Sequence, residues 1–153
     1  MKNKRNIDSY DLKIIRLLLE DGRMPVTELA RRIGMSKSPC QARLKKLQSD
    51  GYILGFRAQV DNAKLNQEHV AFAEVTMSDT REHALTAFNN AIKLIPEIEE
   101  CHLIAGSFDY LLKVRTPNIV LYRKVLGESI SSLPNVASTS TFVSMQSIKD
   151  SNS

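Results

Sequence analysis

Residues 25–51, with the sequence PVTELARRIGMSKSPCQARLKKLQSDG, limit the possible folds more than any other stretch of this chain. Their pattern predicts two short helices joined by a tight turn at Gly34 and Met35. Apolar residues recur through both helices at helical spacing: Leu29, Ile33, Cys40, Leu44 and Leu47. The first turns of the second helix carry cations and no acids: Lys37, Arg43, Lys45 and Lys46. Two helices of this kind, joined by a short turn that contains glycine, are typical of a helix-turn-helix motif, so the stretch predicts duplex DNA as a partner.

The charge of the chain is divided unequally between its two halves. The formal net charge is +4. Through Lys64 there are 14 Lys and Arg against 7 Asp and Glu, whereas from Leu65 onward there are 7 against 10. A basic first half and a mildly acidic second half indicate that one module binds phosphate groups and the other has a different role. The alternative is chance clustering on a solvated surface, and the helix pattern inside the basic half argues against it.

Length and composition are those of a soluble globular protein of one or two domains. The 153 residues are 42% hydrophobic and 25% charged, which is ordinary for this class. No apolar run approaches the roughly 18 residues of a membrane-spanning helix. The start, MKNKRNIDSYD, lacks the apolar core of a signal peptide, so we expect a cytoplasmic protein. Cys40 and Cys101 lie far apart without a CxxC pattern, which argues against a disulfide framework or a zinc site.

Capping and turn residues predict three helices in the first half of the chain. Asp8 is a good N-cap, and Asp11 lies in the following turn, where an anion complements the helix dipole. Proline suits a helix start, and glycine suits a helix end. The predicted limits are Asp8 to Asp21-Gly22, Pro25 to Gly34, and Ser36 to Gly51. The predicted inward face of the first helix contains Leu12, Ile15, Leu18 and Leu19.

After the third helix the pattern changes from helical to extended. Residues 52–60 predict one or two short strands with a kink at Gly55, which would complete a winged helix-turn-helix. Residues 61–67 predict a turn or a short helical linker. We place the domain boundary in this linker, which gives a DNA-binding domain of residues 1–62 and a second domain of residues 63–153.

The second domain alternates strands and helices in the order βαββαβ, a ferredoxin-like arrangement. Strands are predicted at residues 69–77, 98–105, 109–115 and 136–145. One helix is expected to begin at Asp79 or Thr80 and to end at Pro96, and the other to run from Pro117 or Asn118 to Pro134. The whole chain is therefore expected to be an α+β protein.

The first strand of this domain is apolar on both of its faces. Alternation places Val70 and Phe72 on one face, and the other face carries Ala71, Ala73, Val75 and Met77. Because an apolar strand face needs cover, we expect a second copy of the chain to pack on the sheet in a homodimer.

The outward side of the third helix carries the candidate DNA contacts. The N-terminal part of such a helix meets base edges. Gln41 can bind N6 and N7 of adenine, Lys37 can reach guanine acceptors, and Ser38 can contact either. The other cations of the helix fit phosphate contacts, which fix position without reading sequence: Arg43, Lys45 and Lys46. For each lysine the alternative is an ordinary solvated charge.

Ser36 at the start of the helix and Arg57 in the predicted wing complete the set of DNA-binding candidates. Arg57 lies close in sequence to Tyr52 and Phe56, which we expect to seal the small three-helix core. Two interpretations remain open for the basic tail of residues 1–6, namely contact with DNA or disorder, and we favour disorder.

No pattern in the chain indicates an enzyme. His69, His83 and His102 are scattered, with neither an HExxH motif nor a His/Cys cluster of ligand spacing. Cys101 and His102 are neighbours on a predicted strand and project to opposite faces, so they cannot form a nucleophile–base pair or share a metal. AGSFD is not the GxSxG elbow, and no phosphate-binding GxxxxGK[ST] loop occurs. We therefore expect no catalytic residue, no cofactor and no metal.

Two long blocks of sequence, one in each half of the chain, together resemble a known protein family. The first is IDSYDLKIIRLLLEDGR followed by ELARRIGMSKSPCQARLKKLQSDGYILGFRA, and the second is IEECHLIAGSFDYLLKVRTPNIVLYRKVLGESISSLPNV. Together they resemble the leucine-responsive regulatory protein (Lrp/AsnC, or feast/famine) family of prokaryotic transcription regulators, over about Ile7 to Lys149. The resemblance implies a winged helix-turn-helix joined to a βαββαβ amino-acid-binding domain. It also implies dimers formed through the second domain, octamers or similar rings, and a response of assembly or DNA affinity to an amino acid.

The resemblance also favours an effector site at the hairpin of residues 106–110. The N–H groups of a glycine turn can hold an α-carboxylate, and Asp109 can pair with an α-ammonium. From spacing alone the hairpin is more simply an ordinary turn capped by Asp109. In leucine-responsive relatives an aspartate usually takes the place of Ser107, so this chain has one carboxylate fewer. The candidate effector residues, some of them contributed by a neighbouring subunit, are Leu103, Ala105, Gly106, Ser107, Asp109, Ser140 and Phe142.

These observations predict a sequence-specific, DNA-binding transcription regulator that responds to an amino acid or a related metabolite. Proline is one candidate effector, because MSDTREHALTAFNNAI and AGSFDYLLKVRT are similar to alphaproteobacterial regulators of proline catabolism. A branched-chain amino acid is another. Two alternative functions remain: a metabolite sensor whose helix-turn-helix binds protein, and an architectural DNA-binding protein without an effector.

Overall fold

The structure, a computed structural model, describes residues 7–149. The chain divides into two units between Ala58 and Gln59. The predicted domain boundary between residues 62 and 63 stays a prediction. The tail of residues 1–6, for which we favour disorder over contact with DNA, lies outside the described residues.

The first unit contains the three predicted helices, α1 (Ser9–Glu20), α2 (Val26–Ile33) and α3 (Lys37–Ser49). A capping box begins α1. The Asp8 carboxylate accepts the backbone N–H of Asp11 at 2.9 Å, and the Asp11 carboxylate accepts that of Asp8 at 3.3 Å. Gly34 and Gly51 have left-handed φ angles of 72° and 78° at the ends of α2 and α3, a conformation that glycine adopts without strain. The predicted helix limits are confirmed.

The core of the first unit lies between its three helices and includes Leu29, Cys40 and Leu47. The predicted inward face of α1 is wrong in part. Leu12 and Leu19 are 43% and 81% exposed, and the fully buried positions of α1 are Asp11 and Ile14. Apolar residues occupy most positions in the second half of α1, so hydrophobic spacing alone does not identify the side that faces the core.

Residues 52–60 form no strand in the described chain, so the one or two short strands predicted there are not observed. Tyr52 and Ile53 instead terminate α3: their N–H groups donate to the carbonyl oxygen of Leu47 at 2.9 and 3.1 Å, and their side chains pack against the core. Phe56 remains 49% exposed and does not seal the core as expected. A strand needs a neighbouring strand for its N–H and C=O groups, and the one sheet formed by residues 7–149 does not include this segment.

The second unit has the predicted order βαββαβ. Its elements are β1 (His69–Met77), α4 (Glu82–Ile92), β2 (Ile98–Leu103), β3 (Tyr110–Thr116), α5 (Ile119–Val125) and β4 (Val136–Val143). A π-helical turn, Leu126–Ile130, continues α5. The sheet is antiparallel with the order β2-β3-β1-β4. The α+β, ferredoxin-like prediction is therefore confirmed, and β2 and β4 form the two edges of the sheet.

The helices of the second unit cover one face of the sheet only. The core on that face joins Ala73 and Leu112 of the strands to Phe88 and Tyr122 of the helices. On the other face, Phe72 of β1 stands opposite Phe142 of β4, which is 54% exposed. A single chain thus leaves an apolar part of its sheet in contact with solvent.

Residues 7–149 contain neither a helix suited to a bilayer nor a cluster of metal ligands. None of their helices is both long enough and apolar enough to cross a membrane. No group of three or more His, Cys, Asp and Glu side chains is placed to hold a metal ion.

Candidate DNA-binding surface and effector site

α3 presents one side to the core and the opposite side to solvent. Cys40 and Leu47 are 0% and 1% exposed, and Leu44 packs partly against the same core. The predicted DNA contacts on the other side are all exposed: Ser36, Lys37, Ser38, Gln41, Lys45 and Lys46. This side of the helix can therefore enter a DNA groove without first breaking contacts with its own domain.

The first turn of α3 offers backbone donors as well as side chains. The amides of Lys37 and Ser38 belong to the first turn, where N–H groups have no intrahelical acceptor, and Pro39 has no N–H at all. The Ser36 side chain makes no capping hydrogen bond to the helix. Free amides at a helix N-terminus bind phosphate oxygens, so this end of α3 suits contact with the DNA backbone.

Four of the predicted cationic contacts keep their charge available. Lys37, Lys45, Lys46 and Arg57 are exposed, and none of them forms an ion pair with the residues that the structure describes. Their ammonium and guanidinium groups can therefore bind phosphate without giving up a partner inside the protein.

Arg43 differs from the other predicted phosphate contacts, because it is bound within the first unit. Its Nη1 lies 2.6 Å from Oδ2 of Asp8 and 2.9 Å from Oδ1 of Asp11, whose side chain has no exposed surface. The pKa of Asp8 is lowered mainly by the hydrogen bond from the N–H of Asp11 and next by that from Arg43. The pKa of Arg43 is raised mainly by its hydrogen bond to Asp11 and next by that to Asp8. Arg43 thus joins α3 to α1. Sequence reasoning missed this role, since 32 residues separate Arg43 from Asp11.

The candidate effector hairpin of residues 106–110 lies where residues 104–109 connect β2 to β3. Gly106 and Ser107 are exposed and Asp109 is half-buried. Oδ2 of Asp109 accepts the N–H of Met77 at 2.6 Å, and the N–H of Asp109 donates to the carbonyl oxygen of Val75 at 3.0 Å. Oδ1 accepts no hydrogen bond from the described residues. Asp109 therefore holds the hairpin against the end of β1 and retains one oxygen for a ligand.

The side chains predicted to surround the effector do not converge within one chain. Leu103 is 61% exposed at the end of β2, and Ala105 is exposed just beyond it. Ser140 and Phe142 are exposed on β4. Two strands separate β2 from β4, which is about 14 Å at the usual strand spacing. A pocket that includes the residues at the end of β2 as well as those of β4 therefore needs residues from another subunit.

Two cavities among the described residues of the second unit lie away from this hairpin. One, of about 670 Å³, lies among residues 59–63, Arg115 and Ile148. The other, of about 260 Å³, lies between the end of β3 and the outer side of α5, beside Thr116 and Leu121. No predicted effector residue lines either cavity, and Gly106 and Ser107 are exposed in the single chain.

Neither cysteine has the character of a catalytic nucleophile. Cys40 is buried and Cys101 is half-buried. Burial raises the pKa of both thiols, and a nucleophilic cysteine needs a lowered pKa and an accessible thiolate.

An exposed cationic helix in a helix-turn-helix, followed by a separate ferredoxin-like unit, is typical of a DNA-binding protein with a second domain. Residues 7–53 match the family model described as winged helix-turn-helix DNA-binding. Residues 70–153 match the model described as the Lrp/AsnC ligand binding domain. The chain belongs to the Lrp/AsnC family of transcription regulators. It is a regulator and not an enzyme, with DNA and an amino-acid effector as its partners.

Similarity to individual members extends over nearly the whole chain. The chain is 62% identical to a proline dehydrogenase transcriptional activator of Rhizobium radiobacter over 145 residues. The aligned region covers 95% of this chain and 93% of that protein. The chain is 48% identical to a protein of the same name from Rhodobacter capsulatus, over 96% of both chains. A transcriptional regulator of Neisseria meningitidis, solved in complex with L-methionine, superposes with a TM-score of 0.86 at 27% identity, over 95% of this chain and 94% of that one.

Proposed function

We propose that this regulator activates transcription of a proline dehydrogenase gene and that proline is its effector. Two relatives, 62% and 48% identical to this chain, are named for that activity, and both align with it almost from end to end. The outward cationic side of α3 is the single observation that carries the DNA-binding part of the proposal.

In this proposal α3 lies in the major groove and divides its contacts between bases and phosphates. Lys37, Ser38 and Gln41 meet base edges, because they occupy the N-terminal part of the helix. Ser36 and the exposed cations further along contact phosphates: Lys45, Lys46 and Arg57. Arg43 has the weakest support as a phosphate contact, because two carboxylates already bind it.

The effector binds at the hairpin that carries Gly106 and Asp109. Backbone N–H groups near Gly106 hold the carboxylate of the amino acid, and Asp109 binds its ammonium. Ser107 stands where leucine-responsive relatives usually have an aspartate, so a single carboxylate serves the ammonium. Proline suits this arrangement, because its secondary ammonium has one N–H fewer than that of other amino acids. A branched-chain amino acid is the second candidate.

Assembly completes the site. The exposed apolar face around Phe72 and Phe142 supports a homodimer formed through the second unit. Leu103 and Ala105 of one chain then meet Ser140 and Phe142 of another, and an octamer or similar ring supplies further contacts of this kind. Binding of an amino acid between chains changes the assembly or the spacing of the DNA-binding units, and so the affinity for DNA.

Titration calorimetry with proline, leucine and the other common amino acids tests the effector, and site selection from random duplexes tests the DNA-binding part. We expect proline to bind most tightly and to alter the affinity for the selected duplex. Tighter binding of leucine than of proline would contradict the choice of effector, and failure to enrich any sequence would contradict the choice of α3 as a reading helix. Sedimentation tests the assembly, and a monomer at micromolar concentration would exclude it.

A further inference from the structure

Two arginines in the last turn of α2 bind the carboxylate of Glu28 in its first turn. Nε and Nη2 of Arg31 donate to the two oxygens of Glu28 at 2.8 and 2.7 Å. Nε of Arg32 donates to Oε1 of Glu28 at 2.7 Å. The parallel pair of bonds from Arg31 is the forked geometry with which guanidinium groups also bind phosphate. Glu28 thus stands where a phosphate would stand.

The three side chains lie on the surface, and most of their capacity for hydrogen bonds is unused. The side chains of Arg31 and Arg32 are 72% and 46% exposed. Of the five N–H groups of a guanidinium, Arg31 uses two and Arg32 uses one with the described residues. Exposed ion pairs of this kind add little to stability, so an outside anion can replace the carboxylate at small cost.

Glu28 is charged at neutral pH. Hydrogen bonds from Arg31 and then from Arg32 lower its pKa from 4.5 to about 2. Together the side chains of Glu28, Arg31 and Arg32 therefore carry a net charge of +1, although two of them are guanidiniums.

The position of this group in the motif brings it close to DNA. The first helix of a helix-turn-helix crosses the sugar–phosphate backbone while the second lies in the groove. Four residues separate Arg32 from the first residue of α3: Ile33, the turn at Gly34 and Met35, and Ser36. The two arginines thus immediately precede the end of α3 that meets the duplex.

We propose that Arg31 and Arg32 form a second phosphate-binding site on the DNA-binding surface, and that Glu28 occupies this site in the free protein as a substitute for phosphate. On binding, a backbone phosphate displaces the carboxylate from the Arg31 fork. Glu28 thereby lowers the affinity for all sequences alike, which leaves the choice between sequences to the base contacts of α3. This inference rests on the DNA-binding function of the family.

Full-length Glu28→Gln, compared with Glu20→Gln, tests the proposal. Glu20 is exposed on α1 and makes no ion pair with the described residues, so its variant reproduces the change in net charge alone. We measure binding to a selected duplex and to a random one over a range of salt concentrations. Glu28→Gln should bind both duplexes roughly three- to tenfold more tightly than Glu20→Gln, with a salt slope steeper by about one. Equal binding by the two variants, or weaker binding by Glu28→Gln, overturns the proposal.

The double variant Arg31→Gln/Arg32→Gln separates this mechanism from simple repulsion between Glu28 and DNA. If Glu28 acts by occupying the two arginines, Glu28→Gln should add no more affinity than Glu20→Gln in that background. A gain that persists without the arginines also overturns the proposal. Thermal unfolding of each variant establishes that it is folded. Gln41→Ala and Lys46→Ala test the underlying DNA-binding function separately. If these two variants bind DNA like the wild type, the assignment of α3 as the DNA-binding helix fails, whatever the result for Glu28→Gln.

Discussion

Oδ2 of Asp109 accepts the backbone N–H of Met77 at 2.6 Å, which ties the hairpin between β2 and β3 to the end of β1. The same carboxylate is the candidate partner for the ammonium group of the effector. If Asp109 binds the effector as proposed, an effector that draws this carboxylate toward itself would weaken the hold on Met77, just before the connection to α4. Ligand binding and the position of the end of β1 would then be linked through one side chain.

Asp109→Asn should separate these two roles. Asparagine keeps an oxygen that can accept the N–H of Met77, so we expect the free energy of unfolding to change by less than about 1 kcal/mol. It has no charge for an ammonium group, so affinity for proline should fall at least about tenfold. Asp109→Ala removes both the ammonium partner and the acceptor for the N–H of Met77, so it should also lower the free energy of unfolding by about 1–3 kcal/mol. Calorimetry and urea unfolding measure the two effects, and an asparagine variant that binds proline like the wild type would remove Asp109 from the site.

Arg43→Met should destabilise the first unit. The change leaves the Asp11 carboxylate, which has no exposed surface, without its guanidinium partner. Because Arg43 itself is partly exposed, we expect a loss of about 2 kcal/mol, less than for a fully buried pair. Lys45→Met, on the exposed side of the same helix, is the control and should change stability by less than about 0.5 kcal/mol. Equal urea midpoints for the two variants would show that the link between α3 and α1 does not stabilise the unit.

Gln41→Ala and Lys46→Ala should change DNA binding in different ways. Loss of the Gln41 amide should relax the preference at one base pair, at a cost of about 1–3 kcal/mol for the best site. Loss of the Lys46 ammonium should weaken all sequences alike and flatten the salt dependence by about one unit. Site selection and salt titration of both variants distinguish the roles, and identical sequence preferences together with identical slopes would contradict them.

Acid should destabilise the second unit partly through Asp79. The side chain of Arg81, and then its backbone N–H, lower the pKa of Asp79 from 3.8 to about 2. Because the folded-state pKa is the lower one, the charged carboxylate contributes stability above pH 3.8, and this contribution disappears as the pH falls toward about 2. Asp79→Asn should therefore lose less stability than the wild type over that interval. Urea midpoints measured across it, with Glu20→Gln as a control for the loss of one acid, check the prediction.

The limits of the helices in the first unit could be predicted because a local chemical signal marks each of them. Asp8 begins α1 with a capping box, and Gly34 and Gly51 provide the left-handed residues at which α2 and α3 end. The outward side of α3 could also be predicted, since few of its residues are apolar and they fall on one side. In α1 the same reasoning failed, because apolar residues such as Leu19 also occupy its outer side.

Features that depend on distant parts of the chain could not be predicted. Residues 52–60 have the composition of a strand, but a strand also needs a partner, which the sequence does not reveal. The resemblance to a family indicated Leu103 and Phe142 as walls of one site and some of its residues as contributed by a neighbouring subunit, but it did not indicate which. Their separation follows from the order of the strands, which depends on how the whole sheet assembles.

That separation has a consequence for how a cell could use the protein. When opposite edges of the sheet must come from different chains to surround a metabolite, an isolated chain is insensitive to it. The response then depends on two amounts at once, that of the small molecule and that of the regulator itself. Changing the expression level would shift the dose at which the target gene responds, even with every intrinsic binding constant unchanged.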